Sequence, residues 1–338
     1  MFLENHYFPK IRNELKGHEE RERALNDNFR EFFDLPIEDI TQELVYQWRD
    51  AKKAPKDDKK ALKTISINRY LSYLRAALNY AEEKEPTFKA PRLKPQKEID
   101  SKKRKLFLTK DERARLDGAL ARREDRIRSE RKSANQWRHE RGLEPKPDIK
   151  GTFADYVKPV ILLSLHTGIR RSALLSLKWG DIDIDKDPAN EDKVFIVTLQ
   201  AENDKTRKSY ELPLSDDAVD ILELWRKQSA NTGPDDYIFP NPRTGESLQS
   251  LKTVWKKLIQ DAGIKNFTWH GMRHDFASQL VMKGVDLNVV RHLMCHSTLT
   301  MTLIYAHLAP GSAPLQATQL LNVRTKDVLD LPQAAASE

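Results

Sequence analysis

The stretch WHGMRHDFASQLVMKGVDLNVVRHLMCHSTLTMTLIYAHL, Trp269 to Leu308, decides how the rest of the chain is read. His270 and Arg273 stand three apart, so on a helix they share one face. His296 follows after turn signals, and Tyr305 comes nine residues later. Arginine binds phosphate through a bidentate fork and keeps its charge at any physiological pH. Imidazole can hydrogen-bond a phosphate oxygen or move a proton near neutrality. A phenol attacks only where a site takes up its proton. Together these groups can hold an anion and attack it. Taken singly, His296 and Tyr305 fit another description equally well: amphipathic residues with buried rings and wet tips.

Composition bounds the partners. The chain has 338 residues, enough for two domains, and its 58 basic against 51 acidic residues leave a formal charge of +7. That balance favours a polyanionic partner. A charged fraction of 32% with only 12 glycines suits a helix-rich protein. The longest apolar run, Val157 to Leu165, is interrupted by Lys158, Pro159 and Ser164, so no stretch reaches the length of a membrane span. The opening MFLENHYFPK lacks the regions of a signal peptide. Cys295 is the lone cysteine, which excludes an internal disulfide and suits the cytosol.

Residues 1–90 read as helices. One starts near Pro9, and the next carries Leu25, Phe29 and Phe32 or Phe33 at helical spacing. Pro36 closes a turn, and Leu44, Val45 and Trp48 mark a third helix. The strongest pattern is TISINRYLSYLRAALNYAEEKE: Ile67, Tyr70, Leu71, Leu74, Leu78 and Ala81 form a stripe, with Thr64 as the expected N-cap. Residues 91–105 lose periodicity, hold prolines and end in the basic run KKRK, which predicts an inter-domain linker. Thr109 then caps a helix whose second half, within 121–150, is charged almost all round and reads as a solvated insertion.

Further on, Asp155 to Leu165 is apolar, and Gly168 suits the C-cap of that helix. Arg170 follows near the start of a new helix, whose Leu174 and Leu177 face inward. KVFIVTLQ (193–200) and KSYELPL (208–214) alternate as the arms of a β-hairpin. Lys205, Arg207 and Lys208 lie near its turn, where cations are also common simply because they are solvated. The acidic run 181–187 is no calcium loop, because Pro188 and Val194 stand where glycine and glutamate are required. His270 and His274, like His292 and His296, have zinc-ligand spacing, but Gly271 and Leu293 replace the glutamate of a zinc protease. No metal is expected.

HGMRHDFAS followed by HSTLTMTLIYAH resembles box II of the tyrosine recombinases, the phage integrase family. TGIRRSALLSLKWGDID (167–183) is similar to box I, and DKTRKSYELPL (204–214) to the hairpin that carries a lysine in the family. The resemblance spans about Phe2 to Leu321. It implies a mainly α fold with a small antiparallel sheet: a helical SAM-like core-binding domain (1–90), a basic linker (91–105) and an α+β catalytic domain (106–310). A C-terminal segment of the kind exchanged between subunits would follow in 311–338, where LQATQLLNV is the candidate and the last residues look disordered. The catalytic set it implies is Arg170, Lys205, His270, Arg273, His296 and the nucleophile Tyr305. Arg69 and Arg75 become candidate backbone contacts on the DNA face opposite the catalytic one, and Lys103 and Arg104, in the basic run of the linker, a strap across DNA phosphates.

The sequence departs from the family at three places. Ala173 stands where a glutamate is usual, Cys295 where glycine is usual, and Ile304 where an arginine often precedes the tyrosine. Cys295 is expected to be buried and tolerated. Ile304 is expected to pack inward, and Met301 and Leu308 to dock the tyrosine segment. The implied activity is site-specific recombination of DNA through a 3′-phosphotyrosine, as by the integrase of a prophage or genomic island, with no cofactor, ATP or metal. The implied partners are a core-type site in double-stranded DNA, a homotetramer in synapsis, and accessory DNA-bending or directionality proteins, in the cytoplasm and at the nucleoid. No arm-binding domain fits before Tyr7, so either the protein lacks one or the chain is a fragment. A type IB topoisomerase-like enzyme and a catalytically idle DNA-binding relative are the alternatives.

Overall fold

The computed structural model describes residues 2–15, 17–54, 61–96, 107–186, 193–200 and 209–311. The chain divides into two units, Met1–Lys103 and Arg104–Glu338. No described helix is long and apolar enough to cross a membrane.

The first unit is helical: α1 (Phe8–Glu14), α2 (His18–Phe29), α3 (Gln42–Lys53) and α4 (Thr64–Lys84). Pro9 sits in the first turn of α1, where its missing N–H costs nothing. On α4 the predicted stripe is the buried face: Ile67, Leu71, Leu74, Leu78 and Ala81 are all at most 1% exposed, while Tyr70 flanks it. Against it pack Phe29, Phe32, Phe33 and Trp48. Because α2 gives way to a 3₁₀ turn over Arg30–Phe32, the consecutive Phe32 and Phe33 both reach the core. Trp48 stacks 4.3 Å from Phe29 and donates its indole N–H to the Asn28 carbonyl at 2.7 Å.

One expectation changes here. Thr64 is the first helical residue of α4 rather than its cap; Lys63 holds the cap position and makes no side-chain cap bond. The arginines proposed as DNA contacts are engaged within the unit. Arg75 donates to the Leu93 carbonyl, and Arg69 pairs with Glu20 at 3.0 Å on the surface. Asn68 exchanges two 2.9 Å bonds with the Gln96 backbone, and Phe88 and Leu93 are buried. The polar side of α4 thus holds the segment up to Gln96 in place. Lys103 and Arg104 lie outside the described residues.

The second unit opens with α5 (Lys110–His139), started by a capping box in which Thr109 accepts from the Glu112 N–H and Glu112 accepts from the Thr109 N–H. Its buried residues, Leu116, Ala119, Leu120 and Glu124, all fall in the first half. The solvated half serves as a rail for the loop that follows. Arg128 donates to the carbonyls of Ile149 and Gly151, both at 2.8 Å, and Arg138 donates to that of Glu144 at 2.6 Å.

Next come α6 (Val157–Thr167), α7 (Arg171–Leu175), β1 (Ile182–Lys186), β2 (Lys193–Leu199), β3 (Tyr210–Pro213), α8 (Asp216–Arg226), α9 (Lys252–Asp261), α10 (Trp269–Met282) and α11 (Leu287–Leu293). Two 3₁₀ turns, Leu299–Met301 and Leu303–Leu308, complete the described part. The strands form an antiparallel sheet in the order β1-β2-β3, with Val197 opposite Ile182 on one side and Leu212 on the other. The predicted hairpin is therefore present, and the acidic run supplies a third strand beside it. Asp181 braces that strand by accepting from the Lys178 N–H and the Gln200 amide, both at 2.9 Å. Helix α6, buried along most of its length, is the centre against which α8 and α10 pack.

Candidate active site

Three chain reversals bring the motif residues together. The first is Gly168, which ends α6 at φ +62°, in the left-handed region that suits glycine. A Cβ there would lie 2.4 Å from the Phe276 ring, so the position also permits a close approach to α10. The second is the start of α10, where the Thr268 hydroxyl accepts from the Gly271 N–H at 3.2 Å. The third is Cys295, after α11. It is buried at 2% exposure and adopts φ +47°, a conformation that explains why glycine would suit the position.

Arg273, 4% exposed, joins two of these reversals. It donates to the Gly168 carbonyl at 2.7 Å and to the Met294 carbonyl. Arg170, the N-cap of α7, donates to the Cys295 carbonyl at 3.2 Å. The carbonyls before and after the left-handed residue are therefore gripped by two different guanidiniums. A carbonyl orients a guanidinium without cancelling its charge. Helix α7 has only five residues, so Arg170 itself, rather than a helix dipole, supplies the positive field at this turn.

His296 follows directly, 8% exposed, with Nδ1 3.0 Å from the buried Thr302 hydroxyl. Burial pushes its pKa down to about 4, helped by the nearby charges of Arg273 and Arg170 and by His274 and His270. His296 is therefore neutral at physiological pH. Those same influences locate Arg170, Arg273, His270 and His274 around one imidazole.

Tyr305 is 1% exposed, packed with Ala277, Val281, Val290 and Met294. Its hydroxyl lies 2.6 Å from Nδ1 of His274. Burial pushes the phenol up to about 12, while Arg273 pulls the other way. Contrary to expectation, Ile304 points outward at 48% exposure, as do Met301 at 43% and Leu303 at 50%. The short 3₁₀ turn gives its inward positions to Thr302 and Tyr305, which leaves the residues between them facing solvent. Leu308 does pack beside the tyrosine cluster.

Of the expected catalytic set, Arg170, His270, Arg273, His296 and Tyr305 meet in this region, and Lys205 lies outside the described residues. His270 is exposed and meets His274 edge-on at 4.7 Å between ring centres. It lines, with Arg170, Arg171, Lys252, Lys256 and Trp269, a cleft of about 770 Å³. Three residues were not singled out for the site by their sequence. His274 was weighed only as a metal ligand, although its place four after His270 puts it on the same face. Thr302 orients His296. Asp275, fully buried, accepts from the Leu108 N–H at 2.8 Å and pairs with Arg113, so it ties α10 to the start of α5.

Residues 150–311 match the phage integrase family. The integrase of Salmonella phage P22 is 28% identical over 173 residues, covering 48% of this chain and 42% of the relative. A tyrosine recombinase of Thermosipho africanus is 28% identical over 246 residues, 72% of each chain. For the first relatives matched, the chain spans about half of their length or less. The fold resembles that of the Tn1549 transposon integrase solved in complex with transposon right end DNA, with TM-score 0.62, 16% identity, and coverage of 94% of this chain and 98% of that one. With the two boxes joined by Arg273 and the tyrosine segment closed over them, residues 150–311 belong to the phage integrase family.

Proposed function

We propose that this protein is a site-specific DNA recombinase, which cleaves and rejoins double-stranded DNA through a 3′-phosphotyrosine in order to integrate or excise a mobile element. The observation that carries the reading is the meeting of Arg170, Arg273 and neutral His296 at one turn, with the Tyr305 hydroxyl bonded to the residue next to Arg273. The two guanidiniums hold the scissile phosphate and the charge that grows on it in the transition state, usually the largest catalytic contribution. Nδ1 of His296 lies 3.0 Å from the Thr302 hydroxyl; with that hydroxyl as donor, the ring proton sits on Nε2 and is given to a phosphate oxygen.

Tyr305 then attacks phosphorus, and the 5′ oxygen leaves with a proton from Lys205. The 5′ hydroxyl of a partner strand reverses the step. The phosphodiester bond energy is kept in the tyrosyl ester, so no ATP is consumed. His270, at the rim of the cleft, contacts the same phosphate. The basic cleft, with Arg171, Lys252 and Lys256, supports DNA as the ligand. Four chains on two DNA sites would carry out the exchange, with accessory DNA-bending or directionality proteins, in the cytoplasm. Because Tyr305 is covered, DNA binding has to loosen the 303–308 turn before attack.

The test uses a pool of nicked suicide duplexes with randomised core sequence. The full chain is expected to form protein–DNA adducts that survive denaturation and select a common core. Tyr305→Phe is expected to form none. Absence of adducts with the natural chain, or adducts that persist in Tyr305→Phe, overturns the proposal.

A further inference from the structure

We infer that His274 is a catalytic residue: as Tyr305 attacks, its Nδ1 takes the proton of the Tyr305 hydroxyl. The inference rests on the recombinase reading above and goes beyond it by assigning the base. His274 Nδ1 is 2.6 Å from the hydroxyl, within reach for direct proton transfer. His270, the histidine of the motif, meets the His274 ring edge-on at 4.7 Å and lies at the rim of the cleft.

His274 is also held firmly. The residue before it, Arg273, spans two carbonyls, and the residue after it, Asp275, is fixed by Leu108 and Arg113. A base held on both sides keeps its geometry while DNA moves the tyrosine turn.

The step balances. The Tyr305 O–H bond breaks and its proton goes to Nδ1, the phenol oxygen bonds phosphorus, and the P–O5′ bond breaks. The 5′ oxygen takes a proton from the Lys205 ammonium. On rejoining, the proton on Nδ1 returns to the phenol.

Around the pair lie Arg273, whose charge acts on Tyr305, His270, whose ring meets that of His274, and His296, on which His274 acts. Burial pushes the phenol up to about 12, so a base within hydrogen-bond reach aids its attack near neutral pH.

The test is single-turnover adduct formation on a suicide duplex carrying the selected core, followed from about pH 5.5 to 9, with gel-shift binding and thermal melting as controls for folding. The full chain is expected to show a rate that rises with pH and then levels off. His274→Gln and His274→Ala are expected to lose about 10²-fold or more near pH 7. Their rates should climb with pH throughout, as hydroxide replaces the base, whereas His270→Ala keeps the levelling profile. A duplex with a bridging 5′-thiolate leaving group needs no acid. It is expected to relieve Lys205→Ala and to leave the His274→Gln defect in place. A His274→Gln rate within threefold of the natural chain with the same pH profile, or its rescue by the thiolate, overturns the assignment alone. Failure of the natural chain to form any adduct overturns the recombinase reading, and the assignment with it.

Discussion

His296 offers a quantitative test of the site without DNA. Its folded pKa is about 4 against an ordinary 6.5, because burial and the cations around it disfavour the imidazolium. The unfolded chain therefore binds this proton first. The stability held by neutral His296 is complete above about pH 6.5 and is lost as pH falls toward about 4. Linkage between those two values gives a loss of about 2 kcal/mol between about pH 7.5 and 5, and about 2.5 kcal/mol by about pH 4.5. The assay is urea unfolding of the full chain and of His296→Gln at each pH. Groups common to both proteins cancel in the difference. Stability of the natural chain should fall relative to the variant by about that amount as the solution is acidified. Parallel curves for the two proteins would mean that His296 does not sit in the buried, cation-lined setting described.

Other substitutions test the supports of the site. Asp275→Ala removes a fully buried partner of Arg113 and of the Leu108 N–H and should cost about 3–5 kcal/mol in urea unfolding, with Asp275→Asn costing less. At Cys295, φ +47° predicts that glycine leaves stability within about 1 kcal/mol and keeps adduct formation, whereas Cys295→Val loses about 2 kcal/mol or more. Gly168→Ala combines φ +62° with a clash against Phe276, so it should destabilise by about 1–3 kcal/mol and slow adduct formation by moving a carbonyl that orients Arg273.

Periodicity and capping chemistry made much of the fold legible. The α4 stripe, the Thr109 cap, the Gly168 stop and the β2–β3 hairpin could be read because each depends on residues within a few positions of one another. β1 alternates Ile182 and Ile184 with aspartates, a strand signal, yet its carboxylates drew attention to calcium instead. The motif residues Arg170, Arg273, His296 and Tyr305 were recognisable by type and spacing. What joins them was not. The contact of Asp275 with Leu108 spans 167 positions, and that of Arg273 with Gly168 spans 105. No local pattern encodes such pairs. His274 went unassigned because its neighbour Arg273 and its i−4 partner His270 already filled the motif. Ile304 was expected inside on hydrophobicity alone, but the turn that buries Thr302 and Tyr305 leaves it in solvent.

The central claim is that a phosphodiester is attacked by one phenol at the turn where Arg170, Arg273 and His296 meet. The most direct measurement is mass spectrometry of the covalent complex formed on a suicide duplex, after nuclease and protease digestion. The account predicts a 3′-nucleotide on the peptide containing Tyr305 and on no other. A nucleotide attached to any other residue would contradict it.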